Sequence, residues 1–110
     1  MPQTYKVLGQ VAATAATTHN VYTVPAATQA VVSSIIVTNR NSAANVTYRL
    51  AVQPAGAALA NQHYIAYDST VTALDTVALS LGLSLGNTDV LSVYSANANV
   101  SFSVFGVEIT

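Results

Sequence analysis

From Val77 to Leu85 the chain reads Val-Ala-Leu-Ser-Leu-Gly-Leu-Ser-Leu, so Val77, Leu79, Leu81, Leu83 and Leu85 share one face and only Ala, Ser and Gly fill the other. That period of two is strand spacing and not helical spacing. Val46, Tyr48, Leu50 and Val52 alternate in the same way with Thr47, Arg49, Ala51 and Gln53. Segments rich in Val, Ile, Thr and Tyr recur at 5–12, 20–24, 30–39, 45–53, 63–68, 76–85, 89–95 and 100–109, and clusters of Pro, Gly, Asn and Asp separate them. Eight short strands predict an all-β, single-domain β-sandwich over residues 1–110, antiparallel, of jelly-roll or Ig-like type. The leucine face at 79, 81 and 83 and the Tyr48, Leu50, Val52 face are expected to meet in one core. Most breaks read as short hairpin connections. The alanine-rich stretch Ala55 to Asn61 reads as a loop crossing between sheets, with room for one helical turn.

Two strands carry more apolar surface than one core needs. Around Ala30 to Val37, Val31, Ile35 and Val37 oppose Val32 and Ile36, and in the last strand Val100, Phe102 and Val104 oppose Phe105, Val107 and Ile109. Cover by loops, a bulge that switches faces, or an arm laid across the sheet would account for this. So would a subunit interface, because an isolated domain seldom exposes a contiguous apolar patch. The candidate interface residues are Tyr5, Val32, Ile36, Phe105, Val107 and Ile109. The polar stretch Met1 to Lys6 is expected to be an arm reaching a neighbouring subunit.

Composition strengthens the case for assembly. Only seven residues are formally charged (Lys6, Arg40, Arg49, Asp68, Asp75, Asp89 and Glu108), against 52% hydrophobic residues and a net charge of −1. Dispersed domains carry charge on about a quarter to a third of their surface positions. Three scattered basic residues make no footprint for a phosphate backbone, so nucleic acid is not an expected partner. No run of 18 apolar residues predicts a membrane-spanning helix, and no signal-peptide pattern opens the chain, so no membrane association is expected. With no cysteine, disulfides, thiolate zinc sites and cysteine nucleophiles are all excluded.

Catalytic signals are thin, and no catalytic site, cofactor or metal is predicted. His63 opens the segment His-Tyr-Ile-Ala-Tyr-Asp and would have to pair with Asp68 or a tyrosine to act as a general acid or base, while His19 stands alone. Asp68, Asp75 and Asp89 lie beside Ser, Thr or Asn at strand boundaries, where turn capping explains them. Gly-Leu-Ser-Leu-Gly at 82–86 is not followed by a helix pattern, so it makes no phosphate cradle. Asn45-Val46-Thr47 and Asn99-Val100-Ser101 match the glycosylation sequon, a pattern that chance supplies readily in such a chain. Tyr64 and Tyr67, three residues apart in a strand, are expected on opposite faces, which speaks against a sugar-stacking platform.

Across nearly its whole length, the succession Tyr5-Lys6-Val7-Leu8-Gly9-Gln10, Val21-Tyr22-Thr23-Val24-Pro25-Ala26, Ala30-Val31-Val32-Ser33-Ser34-Ile35, Tyr64-Ile65-Ala66-Tyr67-Asp68, Asp89-Val90-Leu91-Ser92-Val93-Tyr94 and Ser101-Phe102-Ser103-Val104-Phe105-Gly106-Val107-Glu108 resembles the small virion structural proteins of tailed bacteriophages. The shared phrases are strands and turns and carry no catalytic signature. The resemblance implies a β-sandwich in the virion, assembled in the bacterial host cytoplasm. Its role would be a capsid decoration (cement) protein on the major capsid protein or, as the alternative, a tail, tail-fibre or adaptor component beside tail proteins. It also implies a homo-oligomer, with a trimer favoured. A lectin-like module stands as a further reading. An exposed aromatic cluster around Tyr64 or Tyr94 would favour the module, and an apolar patch at Val32 and Ile36 would favour assembly.

Overall fold

A computed structural model describes residues 2–110. Eight strands follow one another: β1 (Gln3–Ala12), β2 (Thr17–Thr23), β3 (Gln29–Asn39), β4 (Val46–Gln53), β5 (Tyr64–Val71), β6 (Thr76–Leu85), β7 (Val90–Ser95) and β8 (Val100–Ile109). They form two four-stranded antiparallel sheets, ordered β1-β8-β3-β6 and β2-β7-β4-β5. β1 pairs with β8, β2 with β7, β3 with β6 and β4 with β5, as if one long hairpin, turning between β4 and β5, had been rolled into a sandwich. That is the jelly-roll arrangement.

The rolled topology reverses the expected roles of the connections. Every link except β4 to β5 passes from one sheet to the other, so the short turns are arches and not hairpins. The one link that stays within a sheet is the alanine-rich segment, which holds 3₁₀ turns at Pro54–Gly56 and Asn61–His63. Turn residues reverse the chain equally well in a hairpin or an arch, and only the pairing of the flanking strands decides which forms.

The core lies between the sheets. Phe102, Val104, Ile35 and Val37 from the first sheet meet Leu50, Tyr48, Leu91 and Val93 from the second, all buried. The Tyr48 and Phe102 rings touch edge-on with centroids 6.4 Å apart. Val52, Leu79 and Leu83 pack at its margin, so the two expected faces do meet. Leu81 does not join them. Ser34 pairs with Ser80 and Val32 with Leu83, leaving Leu81 and Gly82 as a bulge; Gly82 takes φ +61° and Leu81 is 40% exposed.

Bulges also decide the faces of β3. Ser33 is an extra residue between Val32 and Ser34, so the chain changes face there. Val32 therefore points inward with Ile35 and Val37, while Val31 and Ile36 point outward. Val32 is fully buried, which corrects its placement in a subunit interface. β8 keeps unbroken alternation and is apolar on both sides, with Phe102 and Val104 inside and Phe105, Val107 and Ile109 outside. At Gly106 an added Cβ would stand 2.1 Å from the Val31 carbonyl oxygen, so only glycine lets β8 approach β3 this closely.

The expected arm is instead a strand. Gln3 to Lys6 pair in register with Ile109 to Gly106, and Lys6 Nζ lies 2.9 Å from the Glu108 carboxylate. Met1 lies outside the described residues.

Candidate functional site: two outer faces

Each sheet turns one face to the core and one outward, and the two outward faces differ in kind. On the first sheet, register places Tyr5 beside Val107 and Val107 beside Val31, while Val7 lies beside Phe105 and Ile109 faces Gln3 and Gln29. Tyr5 is 78% exposed and Val7 48%, and Phe105, Val107, Ile109 and Val31 are half-buried. Ile36 sits on the same face farther along β3, between Ser103 and Ala78. The rest of that face is Ser, Thr, Gln and Ala. Of the candidate interface residues, Tyr5, Ile36, Phe105, Val107 and Ile109 thus share one surface, and Val31 and Val7 join them. Val7 follows Tyr5 by period two; Val31 is not found that way, because strict alternation takes no account of the extra residue at Ser33.

The apolar stripe carries no charged side chain; Arg40 reaches only the far end of the face, where its guanidinium donates to the Ser101 hydroxyl at 2.9 Å. Glu108 and Lys6 turn to the other side of the first sheet, where Tyr22 of β2 donates a 2.6 Å hydrogen bond to Glu108 and so ties the two sheets together. The Tyr22 bond, and then the Lys6 ammonium, hold the Glu108 carboxyl below its usual range. Burial, reinforced by the carboxylate, pushes the Tyr22 phenol up.

The outward face of the second sheet is built around Arg49. Its guanidinium lies 4.1 Å from the centre of the Tyr67 ring and 4.7 Å from that of Tyr94. It donates hydrogen bonds of 2.7 and 3.3 Å to the two carboxylate oxygens of Asp68, and those bonds hold the Asp68 carboxyl below its ordinary value. Tyr64 packs edge-on to Tyr67 with ring centres 4.9 Å apart, so the expectation of opposite faces fails. The cause is Ile65: Tyr64 pairs with Ala51 and Ala66 with Leu50, so Ile65 is an extra residue and both tyrosines point outward. A second extra residue comes next, with Asp68 at φ +53°, a conformation aspartate tolerates better than most residues. That tolerance is the sequence signal for the irregularity.

The candidate acid–base residues are engaged elsewhere. His63 Nδ1 accepts the Ala60 N–H at 3.0 Å and His19 Nε2 accepts the Thr14 N–H at 3.0 Å, so each ring secures a loop. Asp68 serves Arg49 and not His63. Asp75 accepts from Thr72 and from the Thr76 N–H, and Asp89 accepts the N–H groups of Gly86 and Ala55, both as turn caps. Asn39, in sequence only part of a turn, is a buried hub: its amide nitrogen lies within 3.2 Å of the Ala44, Val71 and Thr72 carbonyls and its oxygen accepts the Asn41 N–H. It joins the β3–β4 and β5–β6 arches at one end of the sandwich. No protein-family model and no curated protein matches this chain.

Proposed function

We propose that the chain is a structural component of a tailed-phage particle, a capsid decoration protein that assembles with copies of itself through the outward face of the first sheet. One observation carries this reading: a continuous apolar stripe, Tyr5, Val7, Phe105, Val107, Ile109 and Val31, with no charged side chain within it. A second copy is the occupant that such a face suits. Self-packing sets a surface against its own kind, so that charged groups near the symmetry axis would meet like charges; the stripe carries none. Four strands of about ten residues give the face an area of about 600 Å² at ordinary strand spacings, near the roughly 800 Å² each partner buries in a standard interface.

The virion context rests on the resemblance of the strand-and-turn phrases to phage structural proteins, which also implies a trimer. The jelly roll recurs both in viral shells and in lectins, so the fold alone does not choose between them. All three basic side chains are committed, Lys6 to Glu108, Arg40 to Ser101 and Ala98, and Arg49 to Asp68, which leaves no cationic stripe for a DNA channel. That, with the small size of the domain, ranks capsid decoration above a tail position. Particles assembled with and without the protein test the reading. Added density over the shell is the expected result; density confined to the tail favours the alternative, and absence from purified particles refutes both.

A further inference from the structure

Among the described residues β1 pairs with β8 alone, so its other long side is an edge of the first sheet. Beyond the bulge at Leu8 that edge is closed by β2, where a Cβ on Gly9 would stand 2.1 Å from the Val21 carbonyl oxygen. Before the bulge, Gln3 to Val7 run in unbroken register with β8 and all five are exposed. One bond shows which backbone groups this stretch presents. The Thr110 N–H donates to the Pro2 carbonyl at 3.1 Å, which makes Pro2 and Thr110 a hydrogen-bonded pair of the antiparallel ladder. Bonded pairs alternate with unbonded ones, so Thr4 and Lys6 also turn their N–H and C=O groups to β8, while Gln3, Tyr5 and Val7 turn theirs to the open side.

A row of unpaired donors and acceptors beside exposed apolar side chains is a template for another strand. The other three edges suit one less well. β2 shifts register between Asn20 and Tyr22, β5 shifts twice between Tyr64 and Ser69, and β6 is interrupted at Leu81 and Gly82. β6 keeps a regular piece from Thr76 to Ser80, but its exposed side chains there are Thr76, Ala78 and Ser80, too small to add much apolar contact.

We infer that the Gln3–Val7 edge pairs antiparallel with the same edge of a second copy, about a two-fold axis at Tyr5, so that the two first sheets join into one. This contact presupposes the self-assembly proposed above and adds a second seam to it. Centred on Tyr5, the register sets Tyr5 against Tyr5, Gln3 against Val7 and Val7 against Gln3, and each pair exchanges two backbone hydrogen bonds, which satisfies every open group of the stretch. Lys6 falls opposite Thr4 and keeps its own Glu108, so no like charges meet across the seam. The apolar stripe then runs on through Val31, Val107 and Tyr5 of one copy into Tyr5, Val107 and Val31 of the next. That self-complementarity in a single register, in backbone bonds, charge and apolar surface together, is what selects a second copy over a foreign strand. Backbone bonds exchanged for bonds to water are weak individually, and the edge alone does not repay the cost of association, so it holds only together with the face contact. Being isologous, the seam gives an even number of chains.

The test is native-state hydrogen exchange of the ¹⁵N-labelled full chain, read by NMR at a concentration where light scattering shows it assembled. An open edge would leave the Thr4 and Lys6 amides slow and those of Gln3, Tyr5 and Val7 fast; the expected result is that all five are slow and that the number of chains is even. Gln3→Pro removes one edge N–H, no bond to β8 and no side chain of the stripe, at the first residue of a strand, where proline is accommodated. It should weaken self-association about tenfold while circular dichroism stays native. Fast Gln3, Tyr5 and Val7 amides in an oligomer, an odd number of chains, or a Gln3→Pro variant that assembles like the unmodified chain would overturn the edge seam and leave the face contact standing. A monomer at every concentration would overturn both. Protection of the three amides only on assembled particles would give the edge to a shell protein and overturn the self-pairing.

Discussion

Both outward faces expose apolar and aromatic side chains and use them in opposite ways. On the first sheet, Tyr5, Val7, Phe105 and Val107 lie side by side with nothing above them and no polar group to fix them. On the second, Tyr64, Tyr67 and Tyr94 are pinned by a cation and an anion that complete a small network within the face itself. The second face is already ordered by its own network, whereas the first has no such network. Exposed hydrophobicity alone therefore does not identify an interface. What matters is whether the exposed groups have satisfied one another.

The largest effect should come from the core that supports both faces. Phe102→Ala is expected to lower stability by about 3–5 kcal/mol, the range for truncating a buried aromatic, and to abolish both faces in one transition. Chemical denaturation followed by tyrosine fluorescence and by circular dichroism checks this, and separate midpoints would show that the sheets are independent. Next, Gly106→Ala puts a methyl group against the Val31 backbone and should cost about 1–3 kcal/mol, as overpacking does. Hydrogen exchange should then loosen β8 and β3 more than β4 and β7. Equal loosening would mean that the close approach at Gly106 is not specific to the first sheet.

The tie between Tyr22 and Glu108 gives a smaller, pH-dependent effect. Because the folded Glu108 carboxyl titrates below its ordinary value of 4.5, its contribution is complete above that pH and fades as pH falls through the lower folded value. Glu108→Gln should flatten the acid limb of a thermal-stability profile below about pH 4.5 and leave the shape near neutrality unchanged. The smallest effect is expected at Leu81. A buried leucine would cost about 2–5 kcal/mol on truncation, but Leu81 stands in a bulge at 40% exposure, so Leu81→Ala should cost less than about 1 kcal/mol. A larger loss would return Leu81 to the core.

Alternation made the strands legible, because a sandwich buries every second residue and the leucines of β6 and the valines of β8 record that directly. It did not reveal where the alternation slips. Ser33 and Ile65 are ordinary residues in sequence, yet each turns the next stretch of its strand to the other face, while the Leu81–Gly82 bulge lifts Leu81 alone out of the core. Val32 lies in the core and Tyr67 stands beside Tyr64 for that one reason. The Arg49 cluster was hidden because a lone arginine in a strand shows nothing of the tyrosines brought to it by β5 and β7. Pairing was hidden too: the turn at 24–26 looks the same whether it closes a hairpin or an arch.

The central claim, that the apolar stripe of the first sheet meets another copy of the chain, is tested most directly by light scattering with size exclusion on the unmodified protein and on Val107→Asp. Val107 is half-buried on the outward side, so an aspartate there leaves the core untouched and would bury an unpaired carboxylate in any assembly through this face. The unmodified chain should elute at a multiple of 11.3 kDa and Val107→Asp at the mass of one chain, folded. A folded monomer for the unmodified protein at high concentration, or an oligomer that Val107→Asp leaves intact, would contradict it.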